Sequence, residues 1–84
     1  MTRKEKLIKR FLSRPKDFTW EELVSLLSGL GFEEVSTGKT GGSRRRFINE
    51  MGVIITLHKP HPQNRLRRYQ IEQIIEILQD EELL

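Results

Sequence analysis

Two histidines, His58 and His61, stand three positions apart at the end of an apolar run, Val53 to Leu57, and a block of three arginines, Arg44-Arg45-Arg46, lies shortly before it. A guanidinium group presents a planar fork of donors that fits phosphate oxygens two at a time, and imidazole is the side chain whose ordinary ionisation falls near neutral pH. The combination suits a site that holds a phosphodiester and, where both an acid and a base are in place, cuts it. His58-x-x-His61 also has the spacing of a metal pair. Pro60 breaks any helix that would align the two rings, however, and no neighbouring cysteine or carboxylate completes a ligand set, so no metal is expected.

The charge around these residues is one-sided. Between Lys39 and Arg68 the bases are Lys39, Arg44, Arg45, Arg46, Lys59, Arg65, Arg67 and Arg68, against the single acid Glu50, a local excess of seven in a chain whose formal charge is only +3. The acids gather instead at Asp17 to Glu34 and at Glu72 to Glu82. A basic face opposed to an acidic remainder favours a polyanionic partner. The plainer reading is a solvated strand edge, where cations discourage sheet-to-sheet pairing. With 84 residues, no cysteine and no apolar run near the roughly 18 residues of a membrane span, the chain reads as one small domain without disulfides, zinc thiolates or a membrane segment. Its charged start lacks the apolar stretch of a signal peptide, and a cytoplasmic location is expected.

The elements that must position these groups follow from periodicity. Leu7, Ile8, Phe11 and Leu12 give a first short helix over Glu5 to Ser13, closed by Pro15. Thr19-Trp20-Glu21-Glu22 is a capping box that opens a second helix; Leu23, Leu26, Leu27 and Leu30 form its apolar stripe, Phe18 staples it from outside, and Gly31 stops it. Short runs then predict strands at Phe32–Thr37, Ser43–Asn49 and Val53–His58, with Glu50-Met51-Gly52 as a tight hairpin. Leu66, Ile71, Ile74, Ile75 and Leu78 predict a last helix over Arg65 to Gln79. The fold class expected is α+β, a three-stranded antiparallel meander with helices on one face and the other face open. If Phe47 anchors the core, Arg44 and Arg46 point outward and Arg45 lies toward the covered side. Trp20 and Phe18 are expected to seal the core, leaving Tyr69, between Arg68 and Gln70, as the ring able to stack on a base. Gly41-Gly42 lacks the Gly-Lys-Ser/Thr ending of a nucleotide loop and reads as a flexible turn.

In order and in residues, positions 19 to 78 resemble the HicA toxins of bacterial type II toxin–antitoxin systems. Leu23 to Phe32 is similar to that family's first helix with its Gly-Phe ending, Gly42-Ser43 and Phe47 match its Gly-Ser-His-x-x-Phe strand, and His61 and Leu66 match the His and Leu ahead of its last helix. The resemblance implies a double-stranded RNA-binding-domain-like fold, with residues 1–18 as an extra N-terminal helical extension and 19–84 as the α-β-β-β-α domain. It also implies a metal-independent endoribonuclease acting on mRNA, without a cofactor, and restrained by a HicB-type antitoxin protein.

One departure bears on the chemistry: the family's motif histidine falls on Arg44, and a guanidinium does not give up its proton at working pH. Cleavage through the 2′-hydroxyl needs a base for that hydroxyl and an acid for the leaving oxygen. His61 is therefore the expected proton carrier and Arg44 the group that stabilises phosphate charge. Lys39, Ser43, Arg44, Arg46, His58, Lys59, Arg67, Arg68 and Tyr69 are the expected RNA-binding residues. Two other readings stay open: an RNA-binding module that retains the fold without catalysis, and a protein-interaction subunit whose cations meet an acidic partner.

Overall fold

The computed structural model describes residues 2–35 and 44–84, in the order α1 (Arg3–Leu12), α2 (Trp20–Gly29), β1 (Glu33–Val35), β2 (Arg44–Ile48), β3 (Ile54–His58) and α3 (Arg68–Asp80). The strands form one antiparallel sheet in the order β1-β2-β3, the expected meander, with β2 in the centre. The expected positions Ser36, Thr37, Lys39, Gly41, Gly42 and Ser43 lie outside the described residues.

Local chemistry sets most boundaries. Both α1 and α2 begin with a full capping box, Thr2 with Glu5 and Thr19 with Glu22, so α1 starts two residues before the position that hydrophobic spacing indicates. Arg14 takes a left-handed conformation directly before Pro15, which excludes the helical region there. At the end of α2 the Gly31 amide reaches the Ser28 carbonyl (3.1 Å) and the Phe32 amide reaches Leu27 (2.9 Å), a Schellman motif that needs the left-handed Gly31 at φ 90°. Phe18, just ahead of the cap, and Leu23, one turn inside, are both fully buried as a hydrophobic staple requires.

The core lies between the helices and one face of the sheet. Phe47, Ile55 and Leu57 project into it from the strands, Leu23, Leu26 and Leu27 from α2, and Ile71, Ile74, Ile75 and Leu78 from α3. Phe11 of α1 is equally buried, with its ring 5.0 Å from Phe18, so the first helix shares this core. Trp20 seals one side at 5.7 Å from Phe47.

The last helix departs from expectation. It begins at Arg68, three residues later than Arg65, because the preceding segment is held extended by pairing with residues before α2: the Trp20 amide donates to Asn64 (3.0 Å) and the Leu66 amide to Phe18 (2.8 Å). Leu66 still reaches the core, but from this extended stretch.

Candidate nucleic-acid interface

Alternation along β2 and β3 separates two chemistries. Phe47 and Leu57 turn inward, while Arg44, Arg46, Thr56 and His58 are exposed on the open face. Arg45 lies half-buried toward the covered side, where its Nε stands 3.5 Å from Glu34. The turn Glu50-Met51-Gly52 sets the register: Asn49 Oδ1 accepts from the amides of Met51 (3.1 Å) and Val53 (2.8 Å), and Gly52 takes φ 82°. With that turn in place, Arg46 pairs with Thr56 and Arg44 falls directly opposite His58. Directly opposed residues have Cβ atoms roughly 4.5–5.5 Å apart, so the guanidinium stem and the imidazole leave the sheet side by side.

Beyond His58 the chain turns through Lys59, Pro60 and His61 into the extended segment before α3. A cleft of about 290 Å³ opens here, lined by His58, Lys59, His61, Arg67, Tyr69 and, at its base, Gln70. The buried Gln70 amide spans the base of this site, donating through Nε2 to the His58 carbonyl (2.9 Å) and accepting at Oε1 from the Arg67 amide (3.0 Å). It ties the end of β3 to the start of α3, and so sets how the histidine loop faces the helix. Gln70 occupies the third helical position, where a glutamine reaching back to the cap is a recognised sequence signal. The signal is hidden if the helix is started at Arg65.

The expected contact residues divide. Arg44, Arg46 and His58 share the open face, and His58, Lys59, His61, Arg67 and Tyr69 share the cleft at its end, with the Tyr69 ring 55 % exposed. Lys59 also places its ammonium 6.0 Å from the Trp20 ring centroid. Arg68 turns to Glu72, which it meets at 3.0 Å on the outer side of α3, a pair that competes with any phosphate for this cation. Lys39 and Ser43 lie outside the described residues. Among the described residues no group of three or more His, Cys, Asp or Glu gathers as a metal site would.

The chain is a small α+β domain that closes one sheet face with helices and presents arginines and a histidine on the other. Residues 20–79 match the model of the HicA toxin family of bacterial toxin–antitoxin systems. The chain belongs to the HicA toxin family. It is thus the toxin member of a toxin–antitoxin pair, which implies RNA as substrate and an antitoxin as partner in general terms. No curated protein and no solved structure matches it. Among the described residues no helix is long and apolar enough to cross a membrane.

Proposed function

We propose that the protein is a metal-independent endoribonuclease that cuts mRNA at the end of the open sheet face and is silenced by a HicB-type antitoxin covering that face. The observation that carries this reading is the pairing of Arg44 with His58, at the point where the chain runs on into a cleft shared by His58 and His61. A permanent cation then stands beside two groups of the only side-chain type here that ordinarily ionises near neutrality.

The roles follow from the chemistry. The 2′-hydroxyl attacks phosphorus, the new O2′–P bond forms as the P–O5′ bond breaks, and the products are a 2′,3′-cyclic phosphate and a free 5′-hydroxyl. One proton leaves the attacking oxygen and one must reach the departing oxygen. His61 handles proton transfer, with His58 the second imidazole in reach of the same cleft, and Arg44 stabilises the charge that builds on the phosphoryl oxygens. Arg46, Lys59 and Arg67 hold flanking phosphates, and Tyr69 offers a face for an unpaired base.

The strand order also weakens the plainer account of the cations. Protective charge belongs on edge strands, whereas Arg44 and Arg46 project from β2, the central strand. Residues 1–18 are proposed as an extension of the α-β-β-β-α domain that shares its core. The decisive experiment incubates the purified protein with RNA in EDTA and analyses the new ends. Cyclic phosphate termini lost in His61→Ala support the proposal; RNA bound but never cut leaves the binding-module reading in its place.

A further inference from the structure

The cleft beside His58 has a neighbour among the described residues. A cleft of about 450 Å³ lies on the other side of His61, lined by Lys16, His61, Gln63, Arg65, Leu66 and Arg67 among others. Its volume falls within the roughly 300–1,000 Å³ of small-ligand sites. Pro60, His61 and Arg67 line both clefts, so the two meet at these three residues.

Three permanent cations of this second cleft come from two separate places in the chain. Arg65 and Arg67 belong to the extended segment before α3, and Lys16 to the turn between α1 and α2, ahead of the family match that begins at residue 20. The pairing of Trp20 with Asn64 and of Leu66 with Phe18 brings these segments together. Among the described residues no carboxylate lines the cleft. Asp17, the neighbour of Lys16, meets Arg10 at 2.7 Å, and Arg10 also holds Glu22 at 3.0 Å, which directs the nearby negative charge elsewhere. Gln63 Oε1 accepts from the Arg65 guanidinium at 2.7 Å and orients it.

We infer that this cleft is a second nucleotide subsite, which binds a phosphate and its unpaired nucleoside on one side of the bond to be cut, and that the N-terminal extension supplies part of it through Lys16. The inference rests on the RNA reading proposed above. His61, shared with the first cleft, keeps the reacting phosphate there beside His58 and Arg44, and Arg67 holds the neighbouring phosphate, so that the next nucleotide enters the second cleft. The ligand is single-stranded: a duplex is read along its surface by shape, and only an unstacked nucleotide enters a concavity of this size. An acidic protein segment needs the charge but not a cleft of this volume.

The test measures binding of fluorescent 2′-O-methyl oligoribonucleotides, which lack the attacking hydroxyl, across lengths of about two to eight residues and a range of salt. Each phosphate contact on a single strand contributes about −0.7 to the log–log salt slope, so Lys16→Ala/Arg65→Ala should flatten the slope by about 1.4 and weaken binding on the order of 10-fold at 0.1 M salt. The affinity step gained on lengthening the strand past the first cleft should vanish as well. Both residues are exposed, and Lys16→Gln alone, expected to give half the slope change, serves if the double variant folds poorly. An unchanged slope and length dependence in the variants, while Arg44→Ala/Arg46→Ala flattens the wild-type slope, overturns the subsite and leaves the RNA reading intact. Wild type that binds no strand at any salt sinks both. Loss of oligoglutamate binding with RNA binding retained makes the cleft a protein-docking site and overturns the inference.

Discussion

Replacing Gln70 by leucine removes one amide and leaves two backbone groups without their partner. Gln70 is 5 % exposed, and its bonds to the His58 carbonyl and the Arg67 amide, 2.9 and 3.0 Å, are both part-buried. A buried polar group stripped of its partner costs about 1–3 kcal/mol; with water able to reach these two in part, the low end applies to each, or about 2 kcal/mol together. Leucine has similar bulk, so no large cavity offsets or adds to that figure. In a domain of this size 1 kcal/mol moves the midpoint by roughly 4–8 °C, so Gln70→Leu should melt about 8–16 °C below wild type when followed by circular dichroism. Function should fall further than stability. The same bonds fix the His58 end of β3 against the Arg67 end of α3, and a displacement of about 1 Å between reacting groups can cost on the order of 10²-fold in rate. RNA cleavage measured well below the variant's midpoint should therefore drop while the fold remains intact. A melt within about 2 °C of wild type, with cleavage unaltered, would show that Gln70 is an ordinary core residue and that the loop is positioned by something else.

Other consequences follow from the same geometry. Arg44→Ala/Arg46→Ala should flatten the salt dependence of single-stranded RNA binding by about 1.4 in the log–log slope, two contacts at roughly 0.7 each, as read by anisotropy titrations at several ionic strengths. His61→Ala should lower the cleavage rate on the order of 10²–10⁴-fold and remove an ionisation from the pH–rate profile, whereas Arg44→Ala should lower it about 10²–10³-fold and keep the profile's shape; matching profiles in both would refute the division of roles. Phe11→Ala should destabilise by about 3–5 kcal/mol in denaturant titration, since its ring is fully buried against Phe18, and a change below about 1 kcal/mol would mean that α1 is dispensable to the core.

The parts of the fold that read directly from the sequence are those governed by neighbours in the chain. The Thr19–Glu22 box, the Gly31 stop and the inward Phe47 with outward Arg44 and Arg46 each depend on a few adjacent residues, and each stands as expected. The start of α3 depends on residues far away. Leu66 fits the spacing of Ile71 and Ile74, so periodicity extends the helix back to Arg65; only pairing with Phe18 and Trp20 reveals that this stretch is extended. The candidate site divides in the same way. Its cations and histidines are visible as residue types, but Arg44 meets His58 only through the register that the Asn49-anchored turn imposes, and Lys16 joins Arg65 only through the 18–20 to 64–66 pairing. Gln70 gives no charge signal at all, and its role follows from burial and two hydrogen bonds.

In the proposed ribonuclease reading, arginine at the position that the resemblance assigns to a histidine changes what the site asks of its loop. A histidine on that strand would both hold the phosphate and move a proton, and its hold would weaken as it lost charge; a guanidinium holds the phosphate at every working pH and moves none. On the proposed reading proton transfer passes to imidazoles elsewhere, and the register puts His58 directly across from Arg44 on the neighbouring strand, with His61 three residues on in the same cleft. On that reading both protons of the reaction are handled at the loop, by two histidines of one cleft, while the central strand supplies constant charge. His61→Ala should then lose cleavage while keeping most of its RNA affinity, a separation of the two functions that a single strand histidine doing both tasks would not produce.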